Sequence, residues 1–495
     1  MKRVRASFFP PIALDPESKS PLYRQLYDWF RGAILNGQLR PGQRVPSTRG
    51  LAAELKVSRI PVLGAFEQLH AEGYLQTVLG SGTVVTRSIP DDLARPRKGS
   101  PSPRTPLKGQ RKLSRSGAQM RQSPPQVWLN HLGAFRVSLP ALDHFPVGIW
   151  SKLVARHARW PAKELLAYAD PMGYMPLREA IAEYIGTVRA VRCAPAQIMV
   201  VTGSQQGLQL SARVLLDPGD AVWMEDPGYP GAHQSLTTFG GRLFPVPLDA
   251  AGLKVEHAIR SCPKARAVYV TPSHQYPMGT TLSAARRMRL LDWASRSGAW
   301  VIEDDYDSEF RFGARPFASL QGLDHDARVI YIGTFSKVLF PSLRIGYVVV
   351  PADLVSAFAA ARDAADIFSS TLYQLALTDF IREGHFARHI RRMRLLYMER
   401  RNALLDAVRD KIGSRLELVS AEAGMHLVAL LPPGADDMRV AQAAAQSGIA
   451  AMPLSSCCLR RPARGGLVLG YGGCDQKQIQ DGVKKLAGIL RRVIT

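Results

Sequence analysis

The chain has 495 residues, 46% of them hydrophobic, and a net charge of +23. That length calls for about two to four domains, and the apolar share supports sizeable cores. No run of about 18 apolar residues occurs, and the opening Met1-Lys-Arg-Val-Arg-Ala-Ser-Phe-Phe lacks an apolar stretch of secretory length, so neither a membrane helix nor export is expected and a cytoplasmic protein is.

Residues 1–125 hold 21 Lys/Arg against 8 Asp/Glu, over half of the net charge on a quarter of the chain. Phosphate backbones attract such a segment through counterion release; a solvated basic linker would show the same composition. From Pro21 to Leu35, apolar residues fall at Leu22, Leu26, Trp29, Phe30 and Ile34, one face of a helix. Pro41-Gly42 makes a turn, and Ser47 can cap a second helix predicted from Thr48 to Leu55. Val57-Ser58 then leads into a third, predicted from Arg59 to Glu72. Gly73-Tyr-Leu-Gln-Thr-Val-Leu-Gly-Ser-Gly-Thr-Val-Val reads as a two-stranded wing. Two short helices joined by a tight turn let the second enter a major groove.

Two phrases here, Pro41-Gly-Gln-Arg-Val-Pro-Ser-Thr-Arg-Gly-Leu-Ala and Glu67-Gln-Leu-His-Ala-Glu-Gly-Tyr-Leu, resemble the winged helix-turn-helix of GntR-type regulators. The resemblance implies a double-stranded DNA operator as partner. It makes Arg44, Ser47, Arg49, Ser58 and Arg59 DNA contacts, with Gly82 at the wing tip allowing close backbone approach. Arg59 as a plain surface cation is the alternative. After Ser58-Arg59 that family has a polar residue and Thr, whereas this chain has Ile60-Pro61. Proline is tolerated in a first helical turn, where its missing N–H had no partner anyway. A hydroxyl contact to phosphate is lost, so the target sequence is expected to differ from the family norm.

From about Arg87 to Gln126 the chain is rich in Pro, Ser, Arg and Lys, as in Arg95-Pro-Arg-Lys-Gly-Ser-Pro-Ser-Pro-Arg-Thr-Pro. It has too few apolar side chains to order itself, and its prolines favour an extended spacer. The expected division is therefore a DNA-binding domain over 15–86, a linker over 87–126 and a body over 127–495. The body's centre alternates apolar runs with helical stretches such as Leu282–Arg296. The runs Ile198-Met-Val-Val, Ala221-Val-Trp-Met, Ala267-Val-Tyr-Val, Ala299-Trp-Val-Ile, Val329-Ile-Tyr-Ile and Gly346-Tyr-Val-Val-Val read as buried strands. That alternation implies an α/β fold with a mainly parallel sheet covered on both faces, and ligands beyond the strands' carboxyl ends. From about Phe386 a long Arg-rich helix opens a smaller α/β part. Five cysteines (193, 262, 457, 458 and 474) show no metal spacing, and their odd number argues against a disulfide framework.

Several motifs fall at strand ends. Thr202-Gly-Ser-Gln-Gln-Gly207 opens a helix whose free N–H groups favour a phosphate. Tyr229 in Glu225-Asp-Pro-Gly-Tyr-Pro can stack on a ring, or serve as an ordinary turn aromatic. His274 can touch a ring or its phenolic oxygen, or satisfy a backbone carbonyl. Acids crowd Glu303-Asp-Asp-Tyr-Asp-Ser-Glu309, where a carboxylate can pair with a protonated pyridine nitrogen or with Arg311 and Arg315. Last comes Thr334-Phe-Ser-Lys337, with Arg344 following. A lysine in a partly dry pocket loses basicity and becomes a good amine for Schiff-base chemistry.

In this order the motifs resemble the fold-type-I aminotransferases over roughly residues 140–495. The resemblance implies pyridoxal 5'-phosphate (PLP) as cofactor and assigns Lys337 to its aldimine and Asp304 to its pyridine nitrogen. It gives Tyr306 to the ring hydroxyl, Tyr229 to stacking, and Ser204, Gln205, Thr334, Ser336 and Arg344 to the phosphate. Two departures count against efficient transamination. Tyr276 precedes Pro277-Met-Gly279 where those enzymes place Asn, and Arg464 is slightly displaced from their carboxylate-gripping arginine. Head, linker and body together resemble the MocR subfamily of GntR regulators, which implies a head-to-tail homodimer. The leading expectation is a transcriptional regulator sensing PLP or an amine effector through an aldimine at Lys337. A PLP-dependent aminotransferase with a DNA-binding domain is second, and a regulator that binds no cofactor third.

Overall fold

In the computed structural model the chain divides into two compact units, Met1–Lys112 and Leu113–Thr495. The structure describes residues 11–79, 82–87, 112–122, 132–159, 163–313, 317–419 and 422–494.

Among its described residues the first unit contains three helices, α1 (Leu22–Leu35), α2 (Thr48–Leu55) and α3 (Arg59–Ala71), and two strands, β1 (Leu75–Val78) and β2 (Gly82–Val85). α1 buries Leu26, Phe30 and Ile34 as its spacing predicts, against Leu51 of α2 and Val62, Phe66 and Leu69 of α3. Trp29 is only partly buried, and Tyr27 is buried instead, because its hydroxyl donates to the Glu72 carboxylate just past α3. The Ser47 hydroxyl accepts the Gly50 N–H at 3.1 Å and starts α2. Lys56, in the left-handed region at φ 54°, stops it. β1 and β2 pair antiparallel from Leu75 opposite Val85 to Val78 opposite Gly82, which forms the wing.

The second unit starts at Leu113, ahead of the Val127 expected from composition. It takes in a helix, Arg115–Gln122, inside the stretch expected to be an extended spacer. Ser114 begins that helix by accepting the Gly117 N–H at 3.0 Å, and the helix packs on the helix Pro230–Thr238. Most of the rest of the expected linker lies outside the described residues.

The main sheet has eight strands: β3 (Ile198–Val201), β4 (Ala221–Asp226), β5 (Arg242–Asp249), β6 (Gly252–Leu253), β7 (Ala267–Val270), β8 (Trp300–Asp305), β9 (Val329–Thr334) and β10 (Gly346–Val349). Their order is β3-β10-β9-β8-β7-β4-β5-β6. The pairs β4–β5, β4–β7, β7–β8 and β8–β9 are parallel, while β10 is antiparallel to both neighbours. The six apolar runs all form strands. β5 and the two-residue β6 are additional, and Pro245 and Pro247 hide β5 from a propensity reading. Arg242 donates its N–H to Asp220 on the β4 side. By the two-residue alternation, Pro245 and Pro247 therefore turn their missing N–H away from β4, towards the edge where β6 pairs only at Leu248 and Asp249.

The helix His385–Lys411 leads into a second, antiparallel sheet. Its strands β11 (Glu417–Val419), β12 (His426–Leu430), β13 (Met452–Pro453) and β14 (Gly466–Gly470) lie in the order β11-β12-β14-β13. Phe386, Ile390, Met393, Tyr397 and Leu404 form the helix's buried stripe, and its arginines mostly occupy the other faces. Among the described residues no helix is long and apolar enough to cross a membrane, and no His/Cys/Asp/Glu cluster could hold a metal ion.

Candidate functional site

A cavity of about 610 Å³ opens beyond the carboxyl ends of the main sheet. Ser204, Gln205, Tyr229, Asp304, Tyr306, Thr334, Ser336, Lys337 and Arg344 all line it. Residues from four separate strand ends thus converge on one space. His274 and Arg464 do not.

The phosphate end is built on Gly203. This residue takes φ 125°, a conformation that side chains avoid, and so turns β3 into the helix Ser204–Leu215. A Cβ on Gly203 would stand 3.4 Å from the Arg344 guanidinium, so backbone N–H groups and a cation face the same point. The Ser336 N–H donates to Thr334 Oγ1 at 3.2 Å, while Ser336 Oγ is buried with no hydrogen-bond partner. Gln205 is committed elsewhere: its Nε2 donates to Tyr229 Oη at 3.0 Å and its Oε1 accepts from Ser235 at 2.7 Å. Its backbone N–H is what it can offer an anion, and its side chain sets the tilt of the Tyr229 ring.

Strand alternation decides between the adjacent acids. Asp305 points away from the cavity, taking Arg189 Nε at 2.7 Å and the Tyr331 hydroxyl at 2.5 Å. Asp304, on the opposite face of β8, lines the cavity. Tyr269 donates to Asp304 Oδ2 at 2.9 Å, and Oδ1 is buried without a partner. Burial pushes the Asp304 carboxyl up to about 7, against the lowering effect of the Tyr269 hydroxyl. Burial likewise pulls the Lys337 ammonium down to about 8, although Asp307 and Asp304 act to raise it.

His274 stands behind this wall. Its Nδ1 lies 2.9 Å from Asp307 Oδ1 and 2.9 Å from Tyr306 Oη. Burial pushes the Asp307 carboxyl up, against the lowering effect of the His274 ring. His274 thus lies behind the cavity residue Tyr306 and has no hydrogen bond to a backbone carbonyl among the described residues.

Arg464 is held at the far end of β14. Its guanidinium bonds to the Glu417 carboxylate and to the Leu431 carbonyl. Residues absent from the sequence reading line the cavity instead, among them Arg136, Tyr269, Ser235 and Gln209. Tyr269 ends a recognised strand, so its alternation could have revealed it. Arg136 lies far off in sequence and carried no local signal.

On the first unit, Arg44, Ser47, Arg49, Ser58 and Arg59 are all exposed. Arg44 forms a bridge to Val84, and its guanidinium lies within 3.3 Å of where a Gly82 Cβ would be. Arg59 Nε donates to Thr48 Oγ1 at 3.3 Å, which joins the starts of α2 and α3. Ile60 beside it is 80% exposed.

The family model for bacterial regulatory proteins of the gntR family matches residues 22–85, and that for aminotransferase class I and II matches residues 154–486. The chain is 41% identical over 479 residues to the probable rhizopine catabolism regulatory protein MocR of Rhizobium meliloti, covering 96% of this chain and 95% of that one. It is 32% identical to the pyridoxine biosynthesis regulator PdxR of Corynebacterium glutamicum, over 95% and 96% of the two chains. Among solved structures, the α-aminoadipate aminotransferase LysN of Thermus thermophilus, complexed with N-(5'-phosphopyridoxyl)-L-leucine, superposes with a TM-score of 0.72 at 29% identity, over 77% of this chain and 98% of that one.

Proposed function

The chain belongs to the MocR group of GntR-type regulators, which join a winged helix-turn-helix to a class I and II aminotransferase domain, and from that membership we propose that it is a DNA-binding regulator whose body holds PLP at Lys337 and reads PLP or an amine effector there. The observation that carries this is the cavity itself. It pairs a lysine of lowered basicity with two buried atoms, Asp304 Oδ1 and Ser336 Oγ, that lack partners. Buried polar atoms are rarely left so, and a ring N–H and a phosphate would satisfy both.

When bound, PLP supplies an aldehyde carbon that condenses with primary amines and a protonated ring that withdraws electrons. Lys337 Nζ is suited to that carbon: with a pKa about 8, about a tenth of it is unprotonated at pH 7, against under about one in a thousand for an ordinary lysine. Asp304 Oδ1 would accept the ring N–H, Tyr306 would donate to the ring hydroxyl, and Tyr229 would stack on the ring. The Ser204 end of its helix, Thr334, Ser336 and Arg344 would hold the phosphate. Lys337 Nζ would be the amine that an effector's amine displaces from that aldehyde carbon, an exchange with no change of oxidation state. An effector shifts DNA binding to the extent that it favours one arrangement of body and head over another. The head-to-tail homodimer is part of the same proposal, and sedimentation in solution tests it.

The test is to titrate PLP and then amines into the purified protein, following visible absorption and operator binding together. A Lys337-dependent band whose change accompanies a change in DNA affinity is expected. A band with no effect on DNA binding would overturn the sensing role. Steady consumption of a keto acid would favour the aminotransferase reading, which otherwise lacks Arg464 as a carboxylate grip.

A further inference from the structure

We propose that Arg136 is the specificity-determining residue for effectors, and that it selects amines bearing a second, anionic group such as a carboxylate or sulfonate. This rests on the reading of the cavity as a PLP and effector site.

Among the described residues, the cavity's charged lining consists of Lys337, Arg344 and Arg136 on one side of the balance and Asp304 on the other. The cofactor accounts for three of these: its carbonyl carbon for Lys337, its phosphate for Arg344 and its ring nitrogen for Asp304. Arg136 has no task towards the cofactor. It is a half-buried lining residue of the cavity, and a guanidinium's five donors let it keep an existing partner while forming strong contacts with planar or tetrahedral oxyanions.

The chain takes unusual measures to place it. Phe135 at φ 65° and Ser138 at φ 68° both adopt the left-handed region, although neither is glycine. Two such residues within four positions mark a backbone held against its preference, and such conformations gather at ligand sites. The surroundings hold the segment. Gly470 N–H donates to the Phe135 carbonyl, Ala450 N–H to the Ala134 carbonyl, and Phe135 N–H to Cys474 Sγ. β14 ends in a glycine for the same purpose: a Cβ on Gly470 would stand 2.2 Å from the Arg136 carbonyl oxygen. The strand on which the sequence suggested a carboxylate grip thus supplies no side chain from Arg464. It clamps the backbone of another segment that carries its own arginine.

The test compares wild type, Arg136→Gln and Arg136→Lys, each loaded with PLP. ω-Amino carboxylates, ω-amino sulfonates and n-alkylamines of matched length are titrated against the visible band, with thermal melts and the starting band as checks on folding and loading. Wild type is expected to bind at least one acidic series more tightly than the matched alkylamines. Arg136→Gln should lose about 10- to 100-fold for that series and stay within about twofold for alkylamines, and Arg136→Lys should recover part of the loss. The carboxylate and sulfonate arms separate the two sources of negative charge. Equal affinity of wild type for acidic and plain amines would overturn the proposal while leaving the PLP reading intact. So would an equal loss for both classes in Arg136→Gln. Failure of wild type to form any Lys337-dependent band would overturn both.

Discussion

Lys337 and Asp304 shape each other's protonation. Burial disfavours charge on both, and each acts to restore the other's. Replacing Lys337 by Ala removes the attacking nitrogen from a half-buried site without unpairing any hydrogen bond among the described residues. The variant should fold as wild type does and fail to form the covalent PLP band; a band on Lys337→Ala would show that another amine does the work. The pH dependence has a definite sign. Only unprotonated Lys337 attacks, and its pKa is depressed to about 8. The rate of PLP attachment should rise from pH 6.5 to about 8 and level off above that, as stopped-flow absorption would show. A rate still climbing tenfold per unit beyond pH 9 would mean an ordinary, solvated lysine.

At the scale of single elements, two starts of helices carry most of the local design. Gly203 stands in a backbone region closed to side chains and lets the Arg344 guanidinium come close. Gly203→Ala should cost about 1–3 kcal/mol in stability and weaken PLP binding by displacing Arg344, while the band still forms at high PLP. An unchanged dissociation constant would separate Gly203 from the phosphate. Ser47 starts α2 by accepting the Gly50 N–H. Its hydroxyl proton remains available for a DNA phosphate, since one hydroxyl both accepts and donates. Ser47→Ala should therefore destabilise the first unit by about 1 kcal/mol and weaken operator binding as well, measured by melting and by gel shift. Loss of stability with unaltered DNA affinity would leave it a cap alone.

For the whole molecule, the two units have separate cores: Leu26, Phe30, Leu51, Phe66 and Leu69 in one, and the sheet-bound clusters of the body in the other. Removing residues 1–90 should abolish operator binding and leave the PLP band in place. A truncated body that still bound the operator specifically would refute the assignment of DNA binding to the head. DNA affinity of the full chain should also fall steeply with salt, as expected where Arg44, Arg49 and Arg59 replace counterions on phosphates.

Much of this was legible in the amino-acid order. Helix faces and strand runs are local patterns, and Ser47, Gly203 and Lys337 announce themselves by residues a few positions away. Alternation along one strand requires Asp304 and Asp305 to face opposite ways, while the preference for Asp304 came only from the family resemblance. What local pattern could not supply were approaches between distant segments. β5 forms because its two prolines face an edge left largely unpaired. His274 stands behind Tyr306 because Asp307, from another segment, holds its ring there. Arg136 reaches the cavity, and Arg464 does not, because β14 ends where Gly470 lets another stretch of backbone lie against it. The sequence by itself determined which elements form and which chemical groups are available to them. The tertiary structure decided which of several cations faces the ligand, since that depends on packing between residues hundreds of positions apart.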